Sequence, residues 1–211
     1  MSVEPLIRAV QQASSALELV RSTAALAASG SAAAAPTLVE VLGFNNPGAA
    51  VAAVDGLIAI GSPAVDHLLQ LDPRNYGARA WAVRALAGIG DVRGLDLLIE
   101  ALLSDVGPSV RRAAAKGLGG LALDALASAE RNTVQQRALT ALLEATSDGE
   151  WVVRYAVAVG LEGLALGSRW PTGHSSHGSS CTALCRLSDA ATEEAAVVRL
   201  RAALALQRLQ P

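Results

Sequence analysis

An all-α solenoid, an α-α superhelix of stacked helical hairpins, is the fold class this sequence predicts, and three observations predict it. Apolar residues recur at helical spacing while strand-like alternation is almost absent: Leu95, Leu98, Ile99 and Leu102 share one stripe, and Val110, Ala114, Gly117, Leu118 and Leu121 another. The stretch from Asn75 to Leu121 carries its own pattern twice, about thirty residues apart. Ala78-Arg79 superposes on Val110-Arg111 and Leu86 on Leu118, and the template returns at Val153-Arg154 with Leu161 and at Val198-Arg199 with Leu206. Glycines at 30, 61 and 90 punctuate successive repeats, as expected where a helix closes on a residue without a Cβ.

Each repeat is read as a helix pair. The first members lie at Thr37–Leu42, Ala64–Leu71, Leu95–Leu103 and Gln136–Ala145. The second members begin after turns marked by Asn45-Asn46-Pro47, Asp72-Pro73, Gly107-Pro108 and Asp148-Gly149, which are turn and helix-start residues. An arginine eight or so residues ahead of a glycine-leucine run is a HEAT-type signature. From Leu118 to Leu161 the spacing stretches to about 43 residues, so Ala122–Arg131 is expected to insert an additional short helix. At Gly167 the aliphatic periodicity gives way to SRWPTGHSSHGSS, which reads as a flexible Ser/Gly/His loop over 168–180. Capping helices follow over 181–211, with Glu193–Leu209 amphipathic on Val197, Leu200, Leu204 and Leu206. The whole of 1–211 is expected to form a single HEAT-like repeat domain.

Composition narrows the function classes. Of 211 residues 52% are hydrophobic and only 3% aromatic, so the core is built from Ala, Leu and Val rather than rings. Charges such as Asp55, Glu100, Asp105 and Glu162 interrupt the apolar runs before the roughly 18 residues a membrane span needs, so no membrane insertion is expected. The start MSVEPLIRAVQQ lacks the layout of a secretory signal, which points to the cytoplasm. A net charge of −2 offers no general attraction to phosphate backbones and argues against nucleic acid as a partner.

The arginines at 79, 111 and 154 recur at one repeat position, and Asp105 and Asp148 stand in matching Ser-Asp turns. Such residues are expected to satisfy turn backbone groups as a ladder between repeats. Projecting the second helices at about 100° per residue puts a different set on the face away from the core. Arg112 and Lys116 stand in one repeat, Ala80 and Arg84 in the one before, Tyr155 and Val159 in the one after, with Trp81 on the flank. If second helices line the inner curve, this row makes a basic and aromatic groove suited to an elongated conjugated molecule with acidic side groups. A plain solvated helix face has the same composition. Tyr76 and Trp151 also superpose, at helix starts, and are candidates for an interface anchor or for packing on the previous helix.

His174, His177, Cys181 and Cys185 are spaced H-x2-H-x3-C-x3-C, which matches no common zinc module, so no metal is expected. A disulfide is disfavoured in a reducing compartment, and Cys185 is expected to point into the last helix pair. His67 is read as structural. No phosphate loop, dinucleotide fingerprint, nucleophile elbow or paired catalytic acid appears, so no catalytic residue is assigned and the residues by themselves describe a binding solenoid.

The run NYGARAWAVRALAGIGDVRGLDLLIEALLSDVGPSVRRAAAKGLG, with EWVVRYAVAVGLEGL after it, resembles the smaller subunit of the heterodimeric E/F-type phycobilin lyases over roughly residues 30 to 167. The resemblance implies attachment of a linear tetrapyrrole, a bilin, through a thioether to a cysteine of a phycobiliprotein alpha subunit. It implies a larger E-type subunit as obligate partner, a bilin as substrate, and no permanently bound cofactor. Arg84, Arg112 and Lys116 would then hold propionates while Trp81 and Tyr155 cover the rings. Isomerising relatives carry an adjacent His-Cys pair, whereas here His177 and Cys181 are separated by a Ser-rich stretch, which favours attachment without double-bond isomerisation. The competing class is a HEAT-repeat adaptor or chaperone for phycobilisome assembly or degradation that does no bilin chemistry.

Overall fold

The computed structural model describes residues 2–170 and 173–210. Among them are α1 (Glu4–Gln11), α2 (Ala16–Ala28), α3 (Ala35–Val41), α4 (Pro47–Ile60), α5 (Val65–Leu69), α6 (Tyr76–Ile89), α7 (Leu95–Ser104), α8 (Pro108–Gly119), α9 (Ser128–Glu144), α10 (Trp151–Ser168), α11 (Ser175–Ser188) and α12 (Ala196–Leu209), with short 3-10 turns leading into α3, α5 and α7 and following α9. No strand occurs among the described residues. Consecutive helices pair into hairpins, as an all-α solenoid requires.

The hairpins fall into two compact units, one ending at Asp91 and one beginning at Val92. In the first unit α2 packs on α4 and α4 on α6, while α3 packs on α4 and on α5. In the second, α8 packs on α10 and α10 on α12, and α7, α9 and α11 form the layer behind. Both members of each hairpin contribute leucines to the core, Leu38, Leu68, Leu98 and Leu142 from the first helices and Leu57, Leu86, Leu118 and Leu161 from the second. The second helices add the buried alanines Ala53, Ala82, Ala114 and Ala156. Small residues let the second helices approach closely. A Cβ on Gly56 would meet that of Ala27 at 2.5 Å, and one on Gly119 would meet the carbonyl oxygen of Gly160 at 2.4 Å.

Local chemistry sets the helix ends. Asn46 and Asn75 cap α4 and α6 by accepting from the backbone N–H of Ala49 and Ala78, each at 3.1 Å. Gly30, Gly61 and Gly90 follow α2, α4 and α6 with φ of 59°, 75° and 71°, the conformation their spacing announced.

Three local expectations change. The long repeat contains no additional helix at 122–131; α9 instead starts at Ser128, after a turn whose Asp124 and Leu126 carbonyls accept from Arg131 Nη2, both at 3.1 Å. Residues 175–180, expected within the loop, form the first turns of α11. The His174 ring accepts from the Ser176 N–H at 3.2 Å, Ser176 Oγ accepts from Gln136 Nε2 at 2.6 Å, and the buried Ser180 hydroxyl bonds back to the Ser176 carbonyl at 3.0 Å. A serine-rich helix can therefore bury polar atoms because each is satisfied. Third, α12 buries Val198, Ala202, Ala205 and Leu209, while Val197, Leu200 and Leu204, named with Leu206 among its apolar residues, are 47%, 72% and 40% exposed.

Candidate functional site

The recurring arginines build the ladder that holds the second unit in register. Arg111 forks onto Asp148 through Nε at 2.7 Å and Nη2 at 3.0 Å, and its Nη1 donates to the carbonyls of Asp105 at 2.9 Å and Val106 at 3.3 Å. Arg154 repeats the arrangement one hairpin on, with Nε and Nη2 on Glu193 at 2.6 and 2.7 Å and Nη1 on the carbonyls of Asp148 at 2.7 Å and Gly149 at 3.2 Å. Arg199 bonds the Glu193 and Glu194 carbonyls, both at 2.8 Å. Each carboxylate also accepts from a backbone N–H two residues on, Glu150 for Asp148 and Ala195 for Glu193. Sequence reasoning saw the Asp-Arg ladder and missed that Glu193 takes the aspartate's place, although its position six residues before Arg199 marks it.

Electrostatics follow from this geometry. Burial works against the charge on Asp148, but the Arg111 fork and the Glu150 N–H outweigh it and hold the carboxyl below its ordinary value. The Arg154 fork, against burial, does the same for Glu193, and both arginines are raised in turn by their carboxylate hydrogen bonds. These are structural pairs, fully occupied with each other.

The ladder fixes which face of each second helix meets solvent. The positions just before the ladder arginines, Val110, Val153 and Val198, are buried, and so are Ala114, Val157 and Ala202 three residues after them. Arg112 and Lys116 on α8 are exposed, and Tyr155 and Val159 on the adjoining α10 are half-buried. These four form one continuous row in the second unit. Arg84 and Trp81 belong to the first unit, where the guanidinium carbon lies 4.9 Å from the indole centroid, a cation–π contact that keeps Arg84 exposed and ordered over the ring. Tyr76 is 81% exposed at the start of α6 and Trp151 48% exposed at the start of α10; neither is packed away on a preceding helix.

His177 and Cys181 face each other one helical turn apart on α11, with Nδ1 3.7 Å from Sγ, rather than across a loop. Cys185 is exposed, contrary to the expectation that it enters the core, because Leu184 and Leu187 take the inward positions of that turn. No group of His, Cys, Asp or Glu among the described residues has a metal-binding arrangement. Burial, then the neighbouring Cys185, push the Cys181 thiol up. Iodoacetamide at mildly alkaline pH is therefore expected to label Cys185 several-fold faster than Cys181, read by peptide mass spectrometry; equal rates would contradict the geometry. His67 is half-buried on α5.

A cleft of about 840 Å³ opens in the second unit between the Ser147–Gly149 turn, the Ser179, Thr182 and Arg186 face of α11, and Thr192–Glu194. It contains none of the row residues. Its rim of hydroxyls and mixed charge was not legible in the sequence, because it depends on α11 beginning early.

Residues 65–162 match the family of HEAT repeats. The chain is 57% identical over 164 residues to "Phycocyanin alpha phycocyanobilin lyase CpcF" of Synechocystis sp. PCC 6803, covering 77% of each. It is 48% identical over 208 residues to "Bilin biosynthesis protein RpcF" of Synechococcus sp. WH8020, covering 98% of this chain and 96% of that one. Among solved structures it aligns with a chain of the complex of CpcE and CpcF of phycocyanin lyase from Nostoc sp. PCC7120, at 44% identity and a TM-score of 0.73, over 83% of this chain and 99% of that one. No single helix among the described residues is long and apolar enough to cross a membrane. A HEAT-type array with this degree of identity over nearly its full length belongs to the family of phycobilin lyase subunits of the CpcF type.

Proposed function

We propose that this chain works as the smaller subunit of a heterodimeric phycobilin lyase, joining a bilin through a thioether to a cysteine of a phycobiliprotein alpha subunit. Similarity along nearly the entire length to a bilin biosynthesis protein, together with alignment to a CpcE–CpcF complex, carries the reading. The larger E-type subunit is its partner, and the cytoplasm, where phycobiliproteins mature, is where we place it. In the reaction the acceptor sulfur bonds to the exocyclic ethylidene carbon of ring A, and the thiol proton ends on the ring carbon of the former double bond. The nucleophile comes from the acceptor protein, so this chain's task is to hold a flexible bilin in one conformation and present it. Attachment without isomerisation is the reading we favour, because the sequence has no adjacent His-Cys pair such as the isomerising relatives carry.

Arg112 and Lys116 hold propionates through charge-assisted hydrogen bonds, and Tyr155 covers a ring. Arg84 over Trp81 offers a second cation and aromatic surface in the first unit, and Tyr76 and Trp151 are anchors for protein partners. Bilin is substrate and no resident cofactor is invoked.

Co-expression with the larger subunit, a bilin-producing pathway and the alpha apoprotein tests both levels. Covalent colour on the denatured acceptor should require this chain; attachment undiminished in its absence would instead favour an adaptor. The Arg112→Ala, Lys116→Ala pair is expected to lower attachment at least tenfold, the loss of about 1.4 kcal/mol or more that two charge-assisted contacts supply. Unchanged attachment, with loss in Ser179→Trp, would move the bilin to the cleft.

A further inference from the structure

The cleft beside α11 follows from the short side chains of that helix. Near its start α11 is tied to α9, where Ser176 Oγ accepts from Gln136 Nε2 at 2.6 Å. Beyond that tie it turns Gly178, Ser179 and Thr182 into the cleft, and none of them is long enough to close on the end of α9 and the turn that follows it. A space of about 840 Å³ is left open, the size of a ligand pocket.

Its walls separate spent polar groups from free ones. The Arg154–Glu193 fork closes on itself, with side chains 15% and 1% exposed. On the side of the turn, the Thr146 and Ser147 hydroxyls donate to the carbonyls of Leu143 and Glu144, and Thr192 donates to the carbonyl of Arg186. On the α11 side the groups are unspent. The hydroxyls of Ser175, Ser179 and Thr182 and the guanidinium of Arg186 make no hydrogen bond or ion pair among the described residues, and all four residues are exposed. The Glu194 carboxylate, also on the cleft wall, accepts no hydrogen bond there either.

A free cation, a free carboxylate and hydroxyls that both donate and accept decide what can bind. No aromatic ring lines the cleft and it offers one free guanidinium for the two propionates of a bilin, so its chemistry is not that of a chromophore site. A small anion would leave most of the space empty and face Glu194. A polypeptide segment fits, because its backbone alternates N–H and C=O groups for the hydroxyls and its side chains can bring opposite charges to Arg186 and Glu194. Of the two proteins this chain meets, the larger subunit stays bound, and lasting interfaces are apolar at their centre, which describes the exposed Trp151 and not this cleft. The acceptor has to arrive and leave again, as a small polar contact allows.

We propose that the cleft receives an extended segment of the phycobiliprotein acceptor, with an acidic side chain of that segment on Arg186 and a basic one on Glu194. This rests on the reading of the chain as a bilin lyase subunit and adds to it the place where the protein substrate is held. Arg186, Glu194 and the α11 hydroxyls act by binding and positioning; they take no part in bond making.

The test uses the heterodimer purified with its larger subunit. Attachment rates are followed at saturating phycocyanobilin while the alpha apoprotein is varied, and bilin binding is titrated separately by absorbance. Arg186→Glu and Ser179→Trp alter exposed residues, and circular dichroism checks that both variants fold. Each is expected to raise KM for the apoprotein about tenfold, with kcat and bilin affinity close to wild type, and Arg186→Lys, which keeps the charge, should recover most of the loss. An unchanged KM in Ser179→Trp, whose indole fills the space, would overturn the proposal. Loss of bilin affinity would overturn it too, by making the cleft a chromophore site, and so would elution of the variants without the larger subunit, by making it the subunit interface. An unaltered heterodimer that attaches no bilin would instead refute the functional reading and take the acceptor site with it.

Discussion

Gly160→Ala is expected to lower the stability of the second unit by about 3 kcal/mol, the upper part of the range for overpacking a dense contact. A Cβ at this position would lie 2.4 Å from the carbonyl oxygen of Ala115 and 2.9 Å from Leu142 Cδ2. The reverse contacts are as tight, with Gly119 and Gly163 each lacking room against the other helix's backbone at 2.4 and 2.6 Å. Backbone cannot swing aside as a side chain can. Relief requires α8 and α10 to separate, which opens the buried cluster of Ala115, Leu118, Val157 and Leu161. Gly167→Ala in the same helix is the matched control. Nothing lies within 4 Å of its missing Cβ, so alanine there should be neutral or stabilise by up to about 1 kcal/mol through helix propensity. Urea melts of the two variants decide the matter: a Gly160→Ala midpoint equal to wild type would mean that the helices do not approach as described.

The fold was largely legible because a repeat announces itself many times over. Arg111, Arg154 and Arg199 with their preceding valines fixed register from sequence alone, and the Asn and Gly caps marked helix ends within a residue or two. What was misread was misread for identifiable reasons. On α12 amphipathicity was described by Val197, Leu200, Leu204 and Leu206, whereas alignment of Arg199 with Arg154 puts Val198, Ala202 and Ala205 inward. In a core of close-packed second helices alanine is the inward residue, and size is a poor guide. The start of α11 was hidden by composition, because Ser, Gly and His signal a loop unless a neighbouring helix supplies partners, and Gln136 on α9 is far away in sequence. The exposed row of Arg112 and Lys116 was visible as a helical projection. The cleft beside α11 required coordinates, since it depends on where that helix begins.

Acid is expected to loosen the second unit through the ladder carboxylates, which give up their charge at lower pH than carboxyls at their ordinary values. Asp148 and Glu193 are held below their ordinary values of 3.8 and 4.5. A carboxyl depressed by folding stabilises fully above its unfolded value and loses that contribution as pH falls through its folded value. The window therefore begins at about pH 4.5, the ordinary value of Glu193, and extends downward. Arg111 and Arg154 stay charged throughout, so protonating either carboxylate leaves a guanidinium facing a neutral group in a pair whose side chains are nearly buried, at 16% and 10% exposure for Arg111 with Asp148 and 15% and 1% for Arg154 with Glu193. Removing one partner of such a pair costs about 3 kcal/mol, because the other stays desolvated. Glu193→Gln makes the change without altering shape. At neutral pH it should lower the stability read from urea melts by an amount near that loss, and below about pH 4.5 its stability should fall less steeply than wild type, since one of the two depressed carboxylates is gone. Arg154→Leu should also lower stability at neutral pH and flatten the acid slope, because Glu193 then loses the fork that is the largest cause of its depression. An acid slope in Glu193→Gln as steep as in the unaltered chain would mean that the fork does not couple folding to protonation.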